Sequence, residues 1–138
     1  MGSDAMDPQQ ALFTNLKTEI EKLGYDVYDG ALPPEDTPYP FVYLADSQVT
    51  GDFMYKGVIL EDIMQTVHVW HSSPRKRGDV SNMLAQIKLI ASRLDSPYYY
   101  FRLTDVSQTI LTDTTTRTPL LHGVLELSYK LEGAKSND

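Results

Sequence analysis

The most constraining feature of this 138-residue chain is a strict alternation near its C-terminal end. One side of an extended strand there receives Leu121, Leu125, Leu127, Tyr129 and Leu131, whereas the other side receives His122, Glu126, Ser128 and Lys130. A strand with one apolar side belongs to a sheet that is covered on one face only. The rest of the chain therefore has to supply a covering layer.

Two segments with helical periodicity predict that layer. Apolar residues recur at spacings of three and four in both, at Leu12, Phe13, Leu16, Ile20 and Leu23 and at Val80, Met83, Leu84, Ile87, Ala91 and Leu94. Gly24 and Pro97 follow as stop signals. Ser73 followed by Pro74 is typical of a helix start, with the serine as N-cap and the proline in the first helical position.

The remaining segments indicate strands and loops. Strands are predicted within 25–30, 39–46, 61–71 and 98–111, and a proline-rich loop at 31–38. Residues 47–60 indicate either a long hairpin or a mobile loop. The order α-β-β-β-α-β-β predicts an α+β fold, in which an antiparallel sheet of four to five strands carries both helices on one face.

The predicted domain boundaries leave one folded unit at 9–132. Residues 1–8, MGSDAMDP, are typical of a leader left by an expression vector, and residues 133–138 are predicted to form a flexible tail. The length is that of a single domain with a sizeable core.

Composition excludes several kinds of chemistry. The chain has no cysteine, which rules out disulfides, iron–sulfur clusters and thiolate zinc sites. Its formal net charge of −7 disfavours polyphosphate partners unless basic residues cluster. No apolar run of membrane-spanning length occurs, and we expect a soluble, cytosolic protein without cofactors.

The three histidines do not form a recognisable catalytic motif. His68 and His71 are three positions apart on a predicted strand, so their side chains should lie on opposite faces, and they are poorly placed to chelate one metal ion. His122 with a carboxylate such as Asp113 leaves a base for hydrolysis as an alternative, but no nucleophile elbow or H-E-x-x-H motif accompanies it.

Three groups of residues are candidates for contact with other proteins. They are a basic cluster at Arg75, Lys76 and Arg77, an outward-facing set at Tyr98, Tyr100 and Arg102, and a candidate assembly loop with Phe53, Met54, Tyr55, Val58 and Ile59. The basic cluster opposes the helix dipole, so it does not serve local stability. It is open to three interpretations: a solvated turn, contact with an acidic neighbouring protein, or, with the tyrosines, nucleic-acid binding.

Three segments in a fixed order resemble one protein family. An N-terminal helix, then YDVYDGALPPEDTPYPFVYL, then VHVWHSSPRKRGDVSNMLAQIKLIASRL is similar to the small tail-completion, or head–tail joining, proteins of long-tailed bacteriophages and prophages. The similarity covers residues 9–131. Two features depart from the family pattern, namely His71 after the tryptophan and the basic cluster that follows it.

The resemblance implies a structural role without catalysis. Such a subunit forms a homo-hexameric ring between the head connector, or stopper, and the tail tube, and it is assembled in the host cytoplasm into the neck of the virion. The isolated subunit is then either a monomer or already a ring. The alternatives from other classes are a small metal-dependent hydrolase built on His68 and His122, and a nucleic-acid-binding module.

Overall fold

The computed structural model describes residues 7–55 and 58–135, with the backbone alone described for residues 52–55 and 58–60. The elements in chain order are α1 (Pro8–Lys22), β1 (Val27–Asp29), β2 (Phe41–Tyr55), β3 (Val58–His71), a 3₁₀ turn (Pro74–Lys76), α2 (Arg77–Ser92), β4 (Tyr99–Asp113) and β5 (Leu120–Ala134). The predicted α+β order is confirmed. At the ends, α1 includes Pro8 and β5 extends to Ala134, so both elements exceed the predicted domain by one or two residues.

Helix α1 begins where a carboxylate can cap it. The Asp7 side chain accepts hydrogen bonds from the backbone N–H groups of Gln9 and Gln10, and Pro8 occupies the first turn, where its missing N–H costs nothing. The helix ends before Gly24, whose φ of 100° is a conformation that glycine adopts without strain. Both ends follow from local sequence.

The sheet order is β1-β2-β3-β5-β4. The expected purely antiparallel sheet is wrong in one respect, because β1 pairs in parallel with β2, with Tyr28 opposite Tyr43. The other neighbours are antiparallel. Since β3 and β4 are both antiparallel to β5, they run in the same direction, and such strands need a crossover, which α2 provides. In the sheet, β5 lies between these two strands.

Residues 47–55 and 58–60 lie in two long paired strands, as expected for the hairpin, one of the two predicted alternatives. The backbones of β2 and β3 pair as far as Tyr55 opposite Val58. The register shifts between Thr50 and Phe53, where Gly51 has a φ of 70°, so this glycine permits a bulge rather than ending the strand. Lys56 and Gly57 lie outside the described residues.

The start of α2 differs slightly from the expectation. Ser73 does act as an N-cap, since its hydroxyl accepts a hydrogen bond from the Arg75 N–H, but the turn that it caps is a 3₁₀ turn. The α-helix itself begins at Arg77. Arg75 and Lys76 therefore lie in the preceding turn, and only Arg77 lies in the first turn of α2.

Both helices pack on one face of the sheet. The core contains Leu12, Leu16 and Ile20 from α1, Val80, Met83, Leu84, Ile87 and Ala91 from α2, and Val42, Leu44, Ile63, Val67, Val69, Leu121, Leu125, Leu127 and Tyr129 from the sheet. Helix α2 lies close against β5 at Gly123, where an added Cβ would lie 2.9 Å from Val80 Cγ1.

Gln65 is a polar side chain that is fully buried beside this core. The Gln65 amide donates a hydrogen bond of 3.3 Å to the Ala45 carbonyl, at the place where the register of β2 shifts between Leu44 and Ser47. It also donates to the Thr66 carbonyl at 3.0 Å. Gln65 therefore supplies a hydrogen-bond donor to the backbone at the irregularity in β2. In the part of the chain described, neither helix is long and apolar enough to cross a bilayer.

Candidate functional site

The sheet face opposite the helices carries a row of aromatic and imidazole side chains at one end. Phe41 on β2 lies opposite Trp70 on β3, and Trp70 lies opposite His122 on β5. Tyr43 lies opposite His68 in the next outward-facing position. We call Phe41, Tyr43, His68, Trp70 and His122 the outer patch.

The rings of the outer patch are stacked. The centroids of the Trp70 and His122 rings are 3.8 Å apart with an interplanar angle of 8°. His122 also stacks on His68, at 5.0 Å and 20°, and the Nδ1 atom of His68 lies 2.7 Å from Nε2 of His122. The ring centroids of Tyr43 and His68 are 6.1 Å apart. Two histidines 54 positions apart in the sequence thus share one hydrogen bond.

Both imidazoles of this pair resist protonation. Burial lowers the pKa of His122 to about 4, with a further lowering from the neighbouring His68 that the charge of Asp113 partly offsets. Burial also lowers the pKa of His68, against the opposing influence of Asp46. The two imidazoles are therefore mainly neutral at pH 7.

The arrangement offers little for metal or hydrolytic chemistry. No group of three or more histidine and carboxylate side chains suited to a metal ion occurs among residues 7–51 and 61–135. His68 and His122 bond to each other. Asp113 is held by Thr115, whose N–H and hydroxyl donate to its Oδ1 atom at 2.8 and 2.6 Å. Asp113 therefore influences His122 through charge, and the hydrolase alternative gains no support from these contacts.

A shallow groove lies beside the outer patch. It has a volume of about 290 Å³, and its lining includes Pro33, Tyr39, Trp70 and Leu120. Leu32 at its rim is 71% exposed. The proline-rich loop between β1 and β2 thus borders Trp70 with apolar surface that faces solvent.

His71 lies on the opposite face, as its spacing from His68 predicts. It is buried, and its Nδ1 atom accepts a hydrogen bond of 2.8 Å from the Ser72 N–H. Its Nε2 atom lies 3.5 Å from the Asp79 carboxylate. His71 therefore joins the end of β3 to the start of α2 and has no part in the outer patch.

The basic cluster lies near the outer-patch end of the sheet. Arg75, Lys76 and Arg77 are exposed, and no ion pair involves them within the described residues. Because they follow directly after β3, they lie close to the strand end that carries Trp70. Their charges are available to a partner.

The other candidate interface residues lie at the opposite end. In the sheet, Arg102 on β4 lies opposite Lys130 on β5, and Lys130 lies opposite Asp62 on β3. Arg102 and Tyr100 therefore occupy the end of the sheet where the β2–β3 hairpin extends. Tyr100 is 56% exposed and lies under the Lys135 ammonium group, which is 5.2 Å from its ring centroid. Arg102 Nε is 2.8 Å from Glu132.

The predicted interface residues therefore form two separate surfaces. Tyr98 is half-buried beside Tyr100 at the hairpin end, and its carbonyl accepts a hydrogen bond of 2.8 Å from the Lys135 N–H. The backbone of the segment with Phe53, Met54, Tyr55, Val58 and Ile59 forms the paired strands of the same end. The basic cluster lies at the other end of α2, which is about 24 Å long for 16 residues at 1.5 Å each.

Sequence reasoning missed the outer patch as a unit. The segment YPFVYLAD is apolar on both alternating sets, and this was the available signal that β2 also carries aromatic side chains on its outer face. Phe41 contacts Tyr28 edge-on at 5.6 Å and stacks on Tyr39 at 5.4 Å. The aromatic surface thus continues from β1 to β5.

Comparison with known proteins relates this fold to a virion component. No family model and no curated protein sequence matches the chain. Among solved structures, a chain of the virion of a native gene transfer agent particle matches with a TM-score of 0.53 and 16% identity, over 91% of this chain and 95% of that one. A structure of the bacteriophage SPP1 gp17 protein matches with a TM-score of 0.47 and 21% identity, over 94% and 88%. At 16% identity, the match to the gene transfer agent chain shows a shared fold.

Proposed function

We propose that this protein is a structural virion component, a tail-completion or head–tail joining subunit that forms a hexameric ring between the capsid connector and the tail tube. The observation that carries the proposal is the fold likeness to a virion chain over almost the full length of both chains. The family resemblance of the three sequence segments supports the same role independently of the coordinates.

The shape of the subunit favours assembly over catalysis. Strand β2 has 15 residues and is about 50 Å long at 3.3 Å per residue, roughly twice the length of α2. Part of the β2–β3 hairpin therefore reaches past the helix layer, where it is available to a neighbouring molecule. The histidine pair, in contrast, uses one nitrogen of each ring for its own hydrogen bond, and no cluster of metal-binding side chains accompanies it among the described residues.

Two surfaces at opposite ends suit a subunit with neighbours on two sides. The hairpin together with Tyr98, Tyr100 and Arg102 would contact one neighbour, and the basic cluster would contact an acidic one. The net charge of −7 suits a ring around a channel, because an acidic wall lets DNA slide without binding it. Partners in this proposal are the tail tube protein and the head connector or stopper proteins.

The decisive experiment is attachment of the purified protein to virion parts. We would incubate it with tail tubes, and separately with connector-bearing capsids that lack a joining protein, and image both by electron microscopy. We expect a ring of density at one end of the tube or at the connector. Absence of binding to both, while the authentic joining protein attaches under the same conditions, would overturn the proposal.

The hexameric state needs its own measurement. Native mass spectrometry of the free protein and of material released from tail tubes would give the subunit number in each state. Six copies in the released material support the ring, and any other closed number contradicts that part of the proposal without affecting attachment.

A further inference from the structure

The hydrogen bond between His68 and His122 sets a limit on how many protons the pair can hold. A neutral imidazole has one N–H and one lone pair, so Nδ1 of His68 and Nε2 of His122 can share one proton at 2.7 Å. One added proton preserves this bond, because an imidazolium N–H can donate to a neutral ring. With two added protons both facing nitrogen atoms carry hydrogen, and the contact cannot persist.

Acidic groups on two strands act on the pair, and the phenol ring of Tyr43 on β2 lies 6.1 Å from the ring of His68, between centroids. Asp46 on β2 acts on His68, and Asp113 on β4 acts on His122. Trp70 covers one side of His122, and an indole face stabilises a cation on the adjacent ring. These groups partly offset the burial that opposes the first proton. The second proton places two imidazolium ions in contact in a half-buried position, where repulsion is strongest.

We propose that the His68–His122 pair is an acid-sensitive latch, which releases on its second protonation and uncovers Trp70 while the sheet beneath it stays intact. This inference does not depend on the proposed role in the virion. It assigns a conformational device to the outer patch, which changes from a neutral, stacked surface to a charged, open one in acid.

The backbone explains why the change is local. Strands β3 and β5 pair without interruption from Asp62 opposite Lys130 to His71 opposite Leu121. The side chains of Val67, Val69 and Leu125 are buried on the other face and do not contact solvent. Separation of the two imidazoles on the outer face therefore breaks neither the ladder nor the core.

Trp70 is the only tryptophan, so its fluorescence reports on the latch directly. We would measure emission and acrylamide quenching of the full chain from about pH 7.5 to about pH 3.5, a range that spans ordinary and lowered histidine pKa values, with far-UV circular dichroism in parallel. We expect a red shift and increased quenching in acid, without loss of the circular dichroism signal. An unchanged fluorescence, or a change that coincides with loss of secondary structure, would overturn the proposal.

Three variants separate the latch from general acid effects. His122→Phe keeps a ring against Trp70 but removes the titrating group, so we expect it to abolish the change. His68→Gln, which replaces the other imidazole with a smaller change in the stack, should leave a single weak titration. His71→Gln is the matched control, because His71 is on the opposite face and the pair remains. A wild-type response in both His122→Phe and His68→Gln would contradict the proposal.

Discussion

The hydroxyl of Tyr129 on β5 donates a hydrogen bond of 2.8 Å to the carbonyl oxygen of Ala91, in the last turn of α2. The final carbonyl groups of a helix have no partner within the helix, and here a side chain from the sheet supplies one. Burial of Tyr129 raises the pKa of its hydroxyl, so the hydroxyl stays protonated as a donor. This contact fixes the C-terminal end of α2 on the sheet.

We therefore predict that Tyr129→Phe destabilises the fold. The ring remains, but the Ala91 carbonyl is left buried without a partner, at a cost of about 1–3 kcal/mol in the free energy of unfolding. Urea denaturation measures this loss. Tyr100→Phe is the control, since Tyr100 is 56% exposed and its ring contact with Lys135 survives the change. Equal stability of the two variants would show that the Tyr129 hydrogen bond contributes nothing.

A second prediction concerns the close packing of α2 on β5. In Gly123→Ala the new methyl group would lie 2.9 Å from Val80 Cγ1 and 3.0 Å from Leu84 Cδ1, closer than carbon atoms approach without displacement. We expect a loss of about 1–3 kcal/mol through overpacking. The measurement is again urea denaturation.

The chain provides both a control and a rescue for this test. A Cβ on Gly78 in α2 would meet no atom within 4 Å, so Gly78→Ala should be neutral or stabilising by a few tenths up to about 1 kcal/mol. Combining Gly123→Ala with Val80→Ala should recover part of the loss, because the two sites share one space. Strict additivity of the two changes would contradict the packing explanation.

Local periodicity predicted the elements but not their neighbours. The stripes that include Leu16 and Leu84, and the alternation around Leu125, depend on residues close in sequence, so the helices, the strands and their buried faces followed from them. Nothing local indicates that β1 pairs in parallel with β2, or that β5 rather than β4 lies next to β3. Those pairings depend on how α2 crosses the sheet.

The outer patch was unpredictable for the same reason. Alternation alone places His122 on the face of its strand that lacks the apolar set, and His68 on the face that does not carry His71. Both imidazoles are thereby placed on the outer face. Their contact requires in addition that β3 and β5 be adjacent in one particular register, with His122 opposite Trp70. A shift by one residue would turn every side chain to the other face.

The third prediction concerns stability in acid. The pKa of His122 falls from 6.5 to about 4 on folding, and that of His68 is also lowered, so the unfolded chain binds more protons than the folded chain in this interval. The free energy of unfolding must then decrease as the pH falls from about 6.5 towards about 4. Urea midpoints measured at several pH values test this sign.

The two carboxylates with lowered pKa values act mostly at the acidic end of this interval and below it. Hydrogen bonds from Thr115 lower the pKa of Asp113 and a hydrogen bond from Lys135 lowers that of Asp95, both from an ordinary value of 3.8, so most of their contribution is lost below about pH 4. In His122→Gln the slope between about pH 6.5 and about pH 4 should become shallower, since one proton-binding difference is removed. An identical slope in the variant would show that other groups govern acid stability.

The last prediction separates folding from assembly at the hairpin end of the sheet. Tyr100→Ser and Arg102→Ser remove exposed side chains, and an exposed ion pair such as Arg102–Glu132 contributes only about 0–1 kcal/mol. We therefore expect urea midpoints close to that of the unchanged protein.

The same variants should bind tail tubes or connectors more weakly, because tyrosine and arginine in interfaces often contribute about 2 kcal/mol or more each, which is roughly a thirtyfold loss of affinity. Leu89→Ser is the matched control, since Leu89 is 51% exposed but lies on α2 rather than on the strand that carries Tyr100 and Arg102. Binding is measured by cosedimentation with the virion parts. If Leu89→Ser weakens binding as much as Tyr100→Ser and Arg102→Ser do, the loss reflects general surface change, and the contact surface must be sought elsewhere on the subunit.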